Sequence, residues 1–315
     1  MLMDTLIELI FGAIQAATML IIAPLIIGII RKFNALFQSR RGASIIQPYY
    51  ELAKLFHKGQ VISKEASWIF KVTPFISMTC MIVATAMIPV FIDVSLDFLG
   101  NIIVLVYLMA MFRFFMTLAA LDTGSSFGGM GSSREVMISA IMEPTVFMCL
   151  YAMVVITSTT YLSGISAGVQ SQLTNLSHPS IYIAFISFFI VTLAENARYP
   201  FDNPTTHLEL TMVHEAMILE YSGKSLGLME YSSWTKLTCF LALLVNIFFP
   251  WGIATSISWS AIAIGIASFL GKIIALALVI ALIESSMSKF RLFKLPVVSW
   301  IAFSLAFMAV ILSFL

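Results

Sequence analysis

The sequence predicts an all-α integral membrane protein with about eight transmembrane helices, and three observations predict it. Only 10% of the 315 residues are charged and 60% are hydrophobic, with mean hydropathy +1.00, against about 25% charged in soluble domains. Apolar runs recur near the ~20 residues a bilayer crossing needs. Lys and Arg segregate into alternate loops, as the positive-inside rule requires. The expectation is one polytopic membrane domain over residues 1–315.

By run length the spans fall near Leu6–Ile30, Val72–Phe91, Ile102–Leu121, Val136–Thr157, Ser180–Ala194, Leu237–Ile253, Ile257–Ile283 and Leu295–Phe314. The opening segment lacks the short basic region and small-residue cleavage site of a signal peptide, so it reads as the first span. The loop from Arg31 to Lys71 is rich in Lys and Arg. Further cations follow at Arg134, then at Arg198, Lys224 and Lys236, then at Lys289, Arg291 and Lys294. The loops around Asp93–Asp97, Leu162–His178 and Thr255–Ser256 hold none. This split places both termini outside and the basic loops in the cytoplasm.

Within the first basic loop, Pro48–Lys58 has helical period. Tyr49, Leu52 and Phe56 form an apolar stripe, with Glu51, Lys54 and Lys58 away from it. This is the pattern of a helix lying in the membrane interface. It serves either as an anchor or as the frame of an entrance between lipid and the cytoplasmic face.

The segment from Glu195 to Glu220 holds Glu195, Asp202, Glu209, Glu215 and Glu220, five of the chain's sixteen acids. Pro200 ends the fifth span and Asn203-Pro204 starts a turn. Thr205 or Thr206 caps an amphipathic acidic helix running to about Tyr221, with Gly223 as its stop. On that helix Glu209 and Glu220 share a face, and His207 and His214 lie roughly opposite.

Acids and bases inside spans mark ion pathways or paired structural charges. Glu143 lies in the fourth span beside Pro144, with Arg113 in the third as its candidate partner and Asp122 lower on that span. Glu195 closes the fifth span, with Arg198 one turn on. Together they form a polar line from cytoplasm into membrane, read as a proton relay or as charges that fix packing. Lys272 and Glu284 in the seventh span read as one-sided groups that snorkel.

Several chemistries are excluded. A net charge of +1 offers nothing to nucleic acid. Cys80, Cys149 and Cys239 stand singly in apolar runs, so the chain ligates neither iron–sulfur clusters nor zinc. His214-Glu215 lacks the second His of a zincin, since Ile218 stands at that position. No inverted repeat supports a stand-alone secondary transporter.

Three motifs in order carry a resemblance that spans nearly the whole chain. RRGASIIQPYYELAKLFHK, containing Arg40, Arg41 and Lys54, resembles the first cytoplasmic loop of the complex I subunit 1 family (the H-type subunit in bacteria). Gly131-Ser132-Ser133-Arg134-Glu135 followed by Glu143 is similar to its next element. Glu195-Asn196-Ala197-Arg198-Tyr199-Pro200-Phe201-Asp202, then Glu209-Leu210 and Glu220-Tyr221-Ser222-Gly223, are similar to its acidic loop. FRFFMTLAALDTGSSFGGMGSSRE and PTTHLELTMVHEAMILEYSG look more like the membrane subunit of energy-converting NiFe hydrogenases and formate hydrogenlyase. Ala43 replaces the family's usual proline. Asn203, Thr205, Thr206 and His207 stand where complex I shows acids, which argues against quinone chemistry.

The resemblance implies a subunit without catalytic groups or cofactors of its own. It would dock hydrophilic hydrogenase-like large and small subunits, which carry the NiFe centre and iron–sulfur clusters, and would adjoin antiporter-like membrane subunits and lipid. It implies that Glu143, Glu195, Asp202, Glu209 and Glu220, with Arg113 and Arg198, form an ion-coupling chain. Arg40, Arg41, Lys54 and Arg134 would form the docking surface. The alternatives are the quinone-site membrane subunit of NADH:quinone oxidoreductase and a free-standing transporter.

Overall fold

A computed structural model of the chain describes residues 2–92, 100–173, 179–202, 212–254 and 258–314. Eleven α-helices occupy these residues, and the only β pairings among them are two isolated bridges, Ile92 with Ala254 and Asn101 with Tyr161. Helix α1 spans Leu2–Phe37, α2 Gln47–His57, α3 Trp68–Met87, α4 Ile102–Asp122, α5 Ser126–Thr157 and α6 Leu162–Leu173. They are followed by α7 Pro179–Glu195, α8 His214–Ile218, α9 Gly223–Phe248, α10 Trp259–Ser286 and α11 Leu295–Ser313.

Side-chain caps set several starts. Ser67, Asn101, Ser125 and Ser258 accept from the backbone N–H of Ile69, Ile103, Gly128 and Ala261 at the heads of α3, α4, α5 and α10. Each satisfies a donor that the first helical turn leaves open. Helices α1, α3, α4, α5, α10 and α11 are long and apolar enough to cross a membrane, and α7 is a shorter apolar helix. The chain is a multi-pass membrane protein.

Helix α9 sits at the centre, against α1, α3, α7 and α10. Every residue from Trp234 to Phe248 is buried. Lipid never touches that stretch, which is why it tolerates Lys236 and Asn246 where an outer helix would not. Lys272, on α10, donates to Asn246 Oδ1 (3.4 Å) and to the carbonyls of Phe249 (3.0 Å) and Trp251 (2.8 Å). It closes the end of α9 and does not reach for a headgroup.

Four boundaries differ from expectation. Helix α5 begins at Ser126, ten residues before the anticipated Val136, because Ser125 caps a glycine-rich turn that continues into the apolar run. Glu143 therefore lies about 25 Å along the helix, close to its middle. Helix α9 begins at Gly223, so that residue opens a helix where a stop was expected. Gly223 has φ +53°, and a Cβ there would lie 2.5 Å from the Gly59 carbonyl oxygen; only glycine fits both constraints. The stretch around 162–173, read as loop, holds α6.

The acidic helix expected from Thr205 or Thr206 to Tyr221 is the fourth. Met212 and Val213 are not helical, and α8 runs only from His214 to Ile218. Residues 203–211, including His207 and Glu209, lie outside the described residues. The break at Met212 and Val213 interrupts the single helix expected to carry Glu209 and Glu220.

Candidate functional site

Two clusters of ionisable side chains lie in and below the bundle, and the α7–α8 connection serves both. At the first centre, Arg113 projects from α4 and is 4% exposed. Its guanidinium splits three ways: Nε to Glu135 Oε1 at 3.2 Å, one terminal nitrogen to Glu143, and the other to Glu195. A planar fork with several fixed donors is suited to holding three carboxylates at once, whereas a lysine is not. Glu135 and Glu143 lie eight residues apart on α5, little more than two turns.

A second cation enters from α9. Lys236 Nζ lies 3.1 Å from Glu195 Oε2 and donates to the Glu195 carbonyl oxygen at 2.8 Å. The centre thus sets two cations against three carboxylates, an arrangement with room for one further proton. Of its members only Glu143 reaches outward, with its side chain 39% exposed, beside a crevice lined by Ile103, Val106, Tyr107, Pro144 and Phe147.

The second centre is a cavity of about 380 Å³ among α1, α2, the α7–α8 connection, α9 and α10. Arg31 pairs with Glu51 at 2.7 Å on one wall. On another, Arg198 donates to Glu284 Oε1 at 3.3 Å, and Asn34 donates to the second oxygen of Glu284. Asp202, 3% exposed, accepts from Lys289 and from the backbone N–H of Val213 (3.1 Å) and His214 (3.3 Å). That carboxylate fixes the entry to α8.

Glu215 and Glu230 complete the lining. Burial pushes Glu215 up to about 8, and the charges of Glu230 and Asp202 add to the shift against the opposing pull of Arg31 and Arg198. It is therefore mostly protonated at neutral pH. A smaller space of about 150 Å³, lined by Arg31, Glu51, Lys54, Leu55, Leu226, Glu230 and Trp234, adjoins beneath α2.

His214 stands between the centres. Burial lowers its pKa, keeping it neutral, and it feels the charges of Glu135 and Lys236 on one side and of Asp202 and Arg198 on the other. Helix α8 approaches α5 this closely because residue 131 is glycine: a Cβ there would sit 2.9 Å from the Val213 carbonyl oxygen. One turn further on, Arg134 donates to the Met212 carbonyl at 2.9 Å. The α7 side is set by Ala197, at φ +49°. It turns the chain so that Glu195 faces the first centre and Arg198 the second.

The structure thus brings together Arg113, Glu143 and Glu195, and separately Arg198 and Asp202. Glu220 is exposed and belongs to neither group. Arg40, Arg41 and Lys54 are exposed on the basic end. Arg134 is half-buried and donates to the Met212 carbonyl just ahead of α8. Glu284, expected to snorkel, is a buried ion-pair partner of Arg198. Lys236, counted with the loop cations, is buried in α9. Glu135 and Glu230 were not anticipated as site residues. Glu135 had a usable signal in its position two turns before Glu143; Glu230 had none, because its helix was expected to start at Leu237. Among the described residues, no three His, Cys, Asp or Glu side chains converge to hold a metal ion.

Residues 10–314 match the family model described as NADH dehydrogenase. The chain is 32% identical over 303 residues to formate hydrogenlyase subunit 4 of Escherichia coli K12, covering 96% of this chain and 97% of that one. It is 32% identical over 306 residues to hydrogenase-4 component C of the same organism, covering 95% and 94%. The H-type subunit of the NADH-quinone oxidoreductase of Syntrophotalea carbinolica is 26% identical over 319 residues, covering 94% and 93%. A chain of the membrane-bound sulfane sulfur reductase, an archaeal respiratory membrane complex, has the same fold, with TM-score 0.81 at 19% identity over 97% of this chain and 99% of that one.

Proposed function

The chain belongs to the NADH dehydrogenase family, and on that premise we propose that it is the membrane-anchor and ion-coupling subunit of an energy-converting hydrogenase of the formate hydrogenlyase type. In this reading it holds a hydrophilic redox module against its basic end and links electron transfer there to movement of protons or sodium ions. The observation that carries the proposal is the Arg113 centre: three carboxylates and two cations, buried where a purely structural charge would be costly.

The cavity gives that centre an ion supply. Its lining of arginines, asparagines and carboxylates suits water and ions better than an apolar headgroup, which favours the hydrogenase reading over the quinone one. Neutral His214 and the short 195–198 connection lie between supply and centre. A redox event in a docked partner would act on the cavity charges first and on Glu195 through that connection. The docked module would supply NiFe and iron–sulfur chemistry, and antiporter-like membrane subunits would carry ions onward. The basic end faces the cytoplasm and both termini the outside, because the loops on the opposite side carry no Lys or Arg.

The test is to purify the complex from its native membrane by a tag on this chain. Nickel and iron in the complex, with hydrogen evolution tied to ion uptake, are expected. A flavin-bearing NADH module in their place would overturn the reading. Arg40→Ala with Arg41→Ala should release the soluble subunits on blue-native gels while the membrane part stays assembled.

A further inference from the structure

Lys236 has no counterpart in the relay expected from sequence, yet it is 3% exposed and its partners are specific. Its Nζ touches Glu195 twice, through the carboxylate (3.1 Å) and through the backbone carbonyl (2.8 Å) at the last residue of α7. The aliphatic stem brings the ammonium 5.3 Å from the Phe112 ring centroid and 6.0 Å from that of Phe240. An ammonium over ring faces, at the carbonyl end of a helix, has favourable electrostatic partners on both sides. It stands on α9, the enclosed central helix, whereas the other cation on Glu195, Arg113, stands on α4.

Glu195 is therefore clamped by two cations from two different helices. Arg113 divides itself among three carboxylates, but among the described residues Lys236 pairs with this one alone. The groups facing the ammonium are Arg113 from α4, Glu135 and Glu143 from α5, Glu195 from α7 and His214 from α8. We propose that Lys236 is a positioning residue of the ion-coupling centre: it keeps Glu195 ionised and aimed at Arg113, and it makes the proton affinity of Glu195 depend on where α9 sits against α7.

This rests on the coupling role proposed for the centre, and it adds a moving part to it. A shift of α9 by an ångström or two lengthens the Lys236–Glu195 contacts and leaves the three Arg113 contacts intact. Glu195 is then held by one shared cation and takes up a proton. The reverse shift expels it. No side chain needs to swing across the bundle.

Infrared difference spectra of the assembled complex in membranes test this, comparing wild type with Lys236→Met, Lys236→Arg and Lys236→Met/Glu195→Gln. Expected is a carboxylic-acid carbonyl band in Lys236→Met that wild type lacks at the same pH, in addition to the Glu215 carboxyl band common to both. The added band should be lost in the double variant and absent in Lys236→Arg. Identical carboxyl bands in wild type and Lys236→Met at every pH would overturn the proposal. Should Lys236→Met fail to assemble, the double variant is expected to restore assembly, because both buried charges leave together; failure of the double variant as well would overturn the pairing. Unchanged ion coupling in Glu195→Gln would instead remove the relay reading, while the spectra would still decide the role of Lys236.

Discussion

The Arg113 centre and the Arg198 cavity use the same residue types to opposite ends. At the first, every carboxylate is bound to a cation, one guanidinium serves three of them, and the opening beside Glu143 is otherwise lined by apolar side chains and Tyr107. At the second, Glu51, Asp202 and Glu284 have cationic partners, while Glu215 and Glu230 line about 380 Å³ of open space. A closed cluster holds its charge in one arrangement and changes only when a helix moves. An open, acid-rich cavity exchanges protons with water at small cost. In the proposed coupling role, the first suits storage and switching and the second supply.

Removing the shared cation breaks the comparison most severely. Arg113→Met leaves buried carboxylates facing one another, and loss of a buried partner typically costs about 3–5 kcal/mol. Loss of assembly on blue-native gels is expected, and Arg113→Lys should rescue it only weakly, since a point charge cannot fork. An Arg113→Met complex as heat-stable as wild type would show that the three contacts carry nothing.

The cavity should respond to pH through Glu215. Glu215 is raised from 4.5 to about 8 in the folded protein. Below 4.5 it is protonated in both folded and unfolded chains. Between 4.5 and about 8 only the unfolded chain ionises, so stability falls over that window and levels above it. Glu215→Gln removes this slope. Thermal melts of the purified complex should show wild type losing ~2–4 °C in Tm relative to the variant across the window, a modest figure because the side chain is only half-buried. Parallel Tm curves would mean that Glu215 is ionised at neutral pH.

The smallest effect sharpens the boundary of the site. Glu220 is exposed and outside both clusters, so Glu220→Gln should keep turnover within about twofold of wild type. A large loss would place Glu220 in the ion pathway.

How far sequence reaches depends on what kind of contact makes each feature. The spans of the outer helices were legible because lipid demands continuous apolar residues, and α2 because a half-immersed helix shows its period. The Arg113–Glu143 pair was legible because each charge sits in an apolar run and has few partners within reach. Helix α9 was half hidden. It is enclosed by other helices, so its first half is free to be polar, and Glu230 and Lys236 therefore looked like loop residues. The entry to α8 was misread as part of a helix running from Thr205 or Thr206 to Tyr221. Its course is set by tertiary contacts from Asp202, Arg134 and Gly131, which leave no periodic trace. Glu284 was misread because its partners, Arg198 and Asn34, come from distant parts of the chain.

The coupling role itself is tested most directly by counting ions moved per electron in liposomes holding the purified complex, with pH- and sodium-sensitive dyes inside. Glu195 joins the two cations of the closed centre to the connection that borders the cavity, so Glu195→Gln is predicted to drop that ratio to the background of leaky vesicles. A ratio equal to wild type would contradict the assignment of the Arg113 centre to ion coupling.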